Sequence, residues 1–302
     1  MRFSIFQDSA LGARQVNQDR MGYCFTRESL LMIVADGMGG HLRGEVAAQI
    51  AMQATGAVFQ RMARPALDDP IEFLDHALRS AHREILRYQE LHRMPEAPRT
   101  TVVACVVQRG RAWWAHAGDS RLYWMRGGEL LARTRDHSKV ENLVALGLLQ
   151  PHEQEQHPER NKVLNCLGSP FEPTVEIGKG VDLRPGDALL LCSDGLWSAL
   201  SEETLCREMT AAPAMQAVPG LVRQAVDAAG RHADNVTALG MNWEGEARTV
   251  DTLAPGLMPE GAVTTTIALG QLEGEEAPDI TEDEIERTIR EIRAAIDRSG
   301  AD

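Results

Sequence analysis

The 302-residue chain is long enough for one large domain or two smaller ones, and its 43% hydrophobic content is ordinary for a protein that buries a core. The net charge of −13 is unevenly placed: from Glu244 onward 15 acids meet 5 bases, so the body is almost balanced and the tail holds the acidity. With no basic stripe the composition argues against a nucleic-acid partner, and with no apolar stretch of spanning length it argues against a membrane protein.

Five cysteines, Cys24, Cys105, Cys166, Cys192 and Cys206, follow no pairing pattern and include no C-x-x-C. An odd, scattered set reads as reduced, buried thiols. The N-terminus lacks the long apolar core of a signal peptide. The expected location is the cytoplasm.

In chain order, residues 3–7 alternate weakly and suit an edge strand. A polar loop follows with Arg14, Asn17, Gln18 and Asp19, leading into a strand over 21–26. An arginine on a rigid loop can grip a phosphate in a bidentate way, although a lone arginine in a turn is more often plain surface. Residues 31–35 are a continuous apolar run ending on Asp36, and Gly37, Gly39 and Gly40 follow. The run suits a buried strand. Glycine allows sharp bending and close backbone approach, so a carboxylate and nearby carbonyls could offer oxygens to a hard cation. A plain tight turn with Asp36 as turn-former explains the same residues.

Two helices are expected next. The first runs from Gly44 to about Met62, before Pro65 and Pro70. The second covers 71–91, with Phe73, Leu74, Ala77, Leu78, Ala81, Ile85 and Leu86 near helical spacing. His76, His82 and His92 along it read as surface or boundary residues. Strands are expected over 101–108, 111–117 and 121–125, the first two joined by a turn at Arg109-Gly110. Asp119 sits beside Gly118 at the next junction, and His116 reads as a packed strand residue. Gly127-Gly128 is a turn. Val140, Leu143, Val144 and Leu146 suggest an amphipathic helix, and 148–161 an exposed, adaptable insertion. Strands over 174–178 and 188–192 come next, the latter ending in Ser193-Asp194-Gly195. Helical segments lead to Asp234-Asn235 and a last strand.

From Glu244 the character changes. Residues 244–280 are rich in proline, glycine and acids and read as a flexible linker. Residues 281–298 suit a helix: Thr281 and Glu284 fit a capping box, Ile285, Ile289, Ile292 and Ile296 form one stripe, and Asp283–Arg287 and Glu286–Arg290 pair acid with base. An isolated helix of that length is marginal in water, so the stripe calls for a partner, in this chain or another.

Asp36, Asp119, Asp194 and Asp234 all fall at strand ends or starts. A core explains the strands but not acids at their tips. Carboxylates brought together repel unless cations neutralise them, and oxygen-only ligation favours Mg²⁺ or Mn²⁺ over zinc. Two such ions can activate a water for in-line displacement, with Arg14 on the phosphoryl oxygens. The chemistry read from these residues is phosphoester hydrolysis.

The motifs Arg14-x-x-Asn17-x-Asp19, Asp36-Gly37-Met38-Gly39-Gly40, Gly118-Asp119-Ser120-Arg121, Thr134-x-Asp136-His137-Ser138, Ser193-Asp194-Gly195-Leu196 and Asp234-Asn235-x-Thr237 resemble, in order and spacing, the bacterial branch of the metal-dependent Ser/Thr protein phosphatases of type 2C, over about residues 3–243. The resemblance implies an α+β, four-layer α-β-β-α sandwich in which two antiparallel sheets are flanked by helix pairs. It makes 1–243 a catalytic domain, ahead of the 244–280 linker and the 281–298 helix.

Its ligand set follows by position. Asp36 would bridge two Mn²⁺ or Mg²⁺ ions and the Gly37 carbonyl would bind one. Asp194 and Asp234 would complete the other site, Asp19 would hold bound water, and Asp119 with Asp194 would take a third, looser ion. Arg14 would bind the substrate phosphate, Gln18 and Asn235 would support the ligands from behind, and 138–166 would form a mobile flap. Two departures stand out. Gln18 replaces a frequent glutamate, removing a charge, and Met38 stands where many eukaryotic members have a histidine proposed as general acid.

The implied activity is hydrolysis of phosphoserine and phosphothreonine by attack of a metal-bridging water, opposing a bacterial Ser/Thr kinase. Phosphorylated proteins and that kinase would be the partners. The alternative is a catalytically weak regulatory protein of the same fold acting through its tail; a small-molecule phosphatase of the same chemistry is a third reading. Within the tail, Thr264-Thr265-Thr266-Ile267 could be a phosphorylation site, though an ordinary linker also explains it.

Overall fold

The apolar runs become strands whose two faces are both covered. In β3 (Ser29–Asp36), Leu31, Ile33 and Ala35 pack into one cluster while Leu30, Met32 and Val34 pack into another. Alternate side chains leave opposite faces of a strand, so a strand between two apolar layers must be apolar throughout. The computed structural model describes residues 1–38 and 43–246 together with a short strand at Thr264–Thr265.

Before β3 come β1 (Arg2–Ala10) and β2 (Asp19–Phe25). Two helices follow, α1 (Gly44–Met62) and α2 (Pro70–Leu91). The chain then forms β4 (Val102–Gln108), β5 (Arg111–Ala117), β6 (Arg121–Arg126) and β7 (Glu129–Arg133), and next α3 (Lys139–Ala145). After the short β8 (Glu176–Ile177) and β9 (Val181–Asp182) come β10 (Asp187–Cys192), α4 (Asp194–Trp197), α5 (Glu202–Ala211), α6 (Ala214–Ala229) and β11 (Val236–Gly245). The last described element is β12 (Thr264–Thr265). One antiparallel sheet runs β1-β11-β10-β6-β7; the other runs β12-β2-β3-β4-β5-β8, with β9 also on β5.

Three apolar layers separate four structural ones. α1 and α2 pack on β2–β5 through Phe59, Phe73, Leu74 and Leu78. Met21, Met32, Leu122, Leu189 and Met241 fill the space between the sheets. Tyr123, Leu190, Leu205, Met209 and Leu221 join the other sheet to α5 and α6. This is the expected α-β-β-α sandwich. Helix starts are fixed locally: Asp69 accepts from the Ile71 and Glu72 amides ahead of α2, with Pro70 in the first turn, and Ser201 caps α5 through the Thr204 amide. Such caps contribute about 1 kcal/mol each. All five cysteines are buried and free, as read from their spacing.

Several expectations change. β7 and β9 were not read from the sequence, being short and mixed in polarity, and only their neighbours β6 and β5 define them. His82 is fully packed rather than at the boundary, because its Nδ1 accepts the Gly168 amide. Of the apolar residues expected to line a face of α3 only Val140 is buried, and Leu146 is 72% exposed, since the helix lies on the surface of the 138–166 segment. β11 extends to Gly245, paired with Arg2, so the linker cannot start at Glu244. Within the linker, Thr264–Thr265 is a strand. The 281–298 helix lies outside the described residues. Among the described residues no helix is long and apolar enough to cross a membrane.

Candidate active site

Strand order carries the acids to one end of the sandwich. Asp19 opens β2 and Asp36 closes β3, directly opposite each other in register. From the other sheet, β10 ends just before Asp194 and β11 begins just after Asp234. Asp119 sits where the chain passes from β5 in one sheet to β6 in the other. Asp36, Asp119, Asp194 and Asp234 line one cleft of about 530 Å³ with Arg14, Gln18, Gly37, Met38 and Asn235.

Backbone packing makes this convergence close. Gly12 has φ +64°, and a Cβ there would stand 2.1 Å from the Asp234 carbonyl oxygen. Only glycine permits the N-terminal loop to lie against the Asp234 segment. Gly37 and Gly44 meet in the same way: a Cβ on Gly37 would fall 2.4 Å from the Gly44 carbonyl. The Asp36 carbonyl is fixed by the Thr101 amide at 2.9 Å and the Thr100 hydroxyl at 2.8 Å.

Below the cleft, polar bonds tie the motifs together. Ser193 Oγ donates to Asp19 Oδ2 at 2.7 Å and accepts the Thr237 amide at 3.1 Å. The Gln18 amide donates to Asn235 Oδ1 at 2.8 Å, and Asn235 Nδ2 reaches the Leu11 and Val16 carbonyls at 2.9 and 3.1 Å. Gln18 Nε2 donates to Glu45 Oε2 at 3.2 Å, so the amide that replaces the frequent glutamate has a carboxylate partner in the first turn of α1. Asn17 accepts the Asp19 amide. Beneath Asp119, Arg121 forks onto Asp136 at 2.8 and 2.7 Å and lies 3.6 Å over the Trp197 ring, whose Nε1 donates to the Asp119 carbonyl.

The electrostatics mark a strained group of acids. Burial, outweighing the Ser193 bond, raises Asp19 to about 6. Burial and then neighbouring Asp136 raise Asp119 to about 7. Asp36 and Asp194 are held well above the ordinary carboxylate value, first by burial and then by the other aspartates. Arg14 Nη2 donates to Asp234 Oδ2 at 2.7 Å, and that bond, with the other acids, raises its pKa.

These residues fit hard divalent cations. Asp19 Oδ1 is buried with no hydrogen-bond partner, the expense of which requires a compensating group. The donors that converge are carboxylates and carbonyls, the set that Mg²⁺ and Mn²⁺ prefer. Among the described residues, the group whose donor atoms lie within 4.8 Å of one another is a different and unexpected one, His116, His137 and Glu176. His116 is buried, as read, but stacks on His137 with centroids 4.5 Å apart. His137 Nδ1 accepts from Asn165 at 2.6 Å, which places its proton on Nε2 toward Glu176 at 3.3 Å. The backbone of His137 bonds Gly118 and Leu164, so the cluster ties down both ends of the 138–166 segment.

That segment returns Asn161 and Val163 to the cleft wall, beside Gln15 and Val16. None of the four was singled out in the sequence. The bridge between Ser138 and Val163 that positions them is tertiary and leaves no local signal.

The architecture is a two-sheet sandwich with an acid-lined cleft across its strand ends. A family model for protein phosphatase 2C matches residues 6–224. The chain belongs to that family. It is 34% identical over 244 residues to the serine/threonine protein phosphatase PstP of Mycobacterium tuberculosis, a match over 79% of this chain and 44% of that protein. The chain thus spans less than half the length of that relative. It is 33% identical over 238 residues to the protein phosphatase PhpP of Streptococcus pneumoniae, covering 76% of this chain and 94% of that one. The crystal structure of M. tuberculosis PstP aligns with a TM-score of 0.67 at 31% identity, over 80% of this chain and 99% of the other. A PstP catalytic domain in complex with two manganese ions aligns at 0.65, 29% identity, with 80% and 99% coverage.

Proposed function

We propose that the protein is a metal-dependent serine/threonine protein phosphatase, with residues 1–245 as its catalytic domain. The single observation that carries this is the convergence of Asp36, Asp119, Asp194 and Asp234 with Arg14 in one cleft. In this reading Asp36, the Gly37 carbonyl, Asp194 and Asp234 would hold two divalent cations, and Asp119 with Asp194 would hold a third, looser one. Mn²⁺ or Mg²⁺ suits the donors, and the manganese-bound PstP supports Mn²⁺. When bound, the ions neutralise the carboxylates and activate the attacking water.

The chain's own residues do the rest. Arg14 binds and orients the phosphoryl oxygens through its planar fork. Asp19, held by Ser193, would hold bound water from behind the cleft. Gln18 and Asn235 hold the first loop against the β11 segment so that Arg14 and Asp234 share one opening. Met38 offers no proton, so the leaving oxygen takes one from water or another group. The substrates are phosphoserine and phosphothreonine proteins, and the opposing partner is a bacterial Ser/Thr kinase. The catalytically weak regulatory alternative is not favoured: Asp36, Asp119, Asp194 and Asp234 all line the cleft, while Asp19 lies buried behind it, and the relatives are named as phosphatases.

The test is turnover of a phosphothreonine peptide by purified protein with Mn²⁺, with Mg²⁺ and with EDTA, beside Asp194→Asn. The reading expects turnover that needs metal and drops at least a hundredfold in the variant. Folded protein with no turnover in any metal would overturn it.

A further inference from the structure

The outer edge of β2 carries a strand from the tail. Thr264 lies opposite Tyr23 and Thr265 opposite Gly22, antiparallel. An uncovered sheet edge presents a row of N–H and C=O groups that any extended chain can pair with, and adding a strand to such an edge is a common way to bind peptides. Threonine suits a strand, and the 264–267 stretch is Thr-Thr-Thr-Ile in a region otherwise rich in glycine, proline and acids. Glycine inside a strand, as at Gly22, often marks close approach of another backbone.

Direction matters more than the contact. β2 begins at Asp19, which sits opposite Asp36 at the cleft end. A chain added antiparallel to β2 therefore runs, N to C, toward the cleft. Gly22 and Asp19 are three residues apart, about 10 Å along a strand. A residue some four or five positions after the seated pair would reach the cleft mouth.

We infer that the β2 edge is a docking rail for extended phosphopeptide substrates, and that the chain's own Thr264–Thr265 strand occupies it and competes with them. This rests on the phosphatase reading. It makes residues N-terminal to the phosphorylated side chain the ones that dock. It also makes the tail an intramolecular competitor, present at the high effective concentration that a tether gives.

The experiment uses the full chain and the double variant Thr264→Pro/Thr265→Pro, because proline cannot donate to a ladder. Hydrogen exchange over residues 21–24 is followed by mass spectrometry across a range of protein concentrations. Turnover is followed on p-nitrophenyl phosphate, on a phosphothreonine peptide with six residues before the phosphate, and on one with none. The inference expects faster exchange over 21–24 in the variant. It expects KM for the long peptide to fall severalfold at unchanged kcat, and no change for the other two substrates. Equal exchange in both proteins, or equal KM for the long peptide, would overturn it. Protection that grows with protein concentration would place another copy's tail on the edge and overturn the intramolecular claim. Loss of p-nitrophenyl phosphate turnover in both proteins would count against the phosphatase reading, while exchange would still report the seating.

Discussion

Ser193 shows how much one side chain can hold. It is fully buried, donates to Asp19 and accepts the Thr237 amide. Alanine would leave both groups short of a partner, and each such loss costs about 1–3 kcal/mol. Ser193→Ala is expected to lower stability by at least that much in urea denaturation; a loss under roughly 0.5 kcal/mol, the ordinary scatter of surface changes, would show that the bond is dispensable. The sequence placed Ser193 in a motif but gave it no task. Its role depends on two strands of one sheet and the first residue of a strand in the other meeting at depth. By contrast the aspartates themselves were legible, because an acid at the tip of an apolar strand has no packing reason to be there.

Among elements, the loop from Ala10 to Asp19 does the positioning. It carries Arg14, and its descent past Asp234 depends on Gly12 at φ +64°. Gly12→Ala would drive a Cβ into the Asp234 carbonyl and strain the backbone, by about 1 kcal/mol or more from the left-handed conformation alone. The expected result is a lower Tm together with weaker Mn²⁺ binding by calorimetry, since the shift moves Asp234. A variant with unchanged metal affinity would mean that the loop and Asp234 are independent. β3, β4, β10 and both long helices were readable from periodicity and breakers, since their faces are buried. β7, β9 and the course of 138–166 were not. They are short, half-exposed and placed by partners distant in sequence, as the bridge from Ser138 to Val163 shows.

At the scale of the whole molecule, the cleft trades stability for function. Asp19 at about 6 and Asp119 at about 7 are raised from an ordinary 3.8, as are Asp36 and Asp194. A raised carboxyl contributes stability that is complete below its unfolded value and lost as pH climbs through its folded one. Asp187 has the opposite sign. Burial pushes it up, but Arg126 and its other donors outweigh that and hold it low, so its effect falls below pH 4. Between pH 5.5 and 8, protein stripped of metal with EDTA should therefore lose Tm as pH rises, and Mn²⁺ should restore most of the loss at pH 8. A stripped protein whose Tm climbs over that range would contradict the assignment.

The central claim is that the acids gather to hold cations, and Mn²⁺ titration calorimetry on the full chain beside Asp36→Asn tests it most directly. The account predicts at least two saturable ions per chain in the wild type and loss of the paired binding in the variant. No saturable binding, or the same isotherm in both proteins, would contradict it.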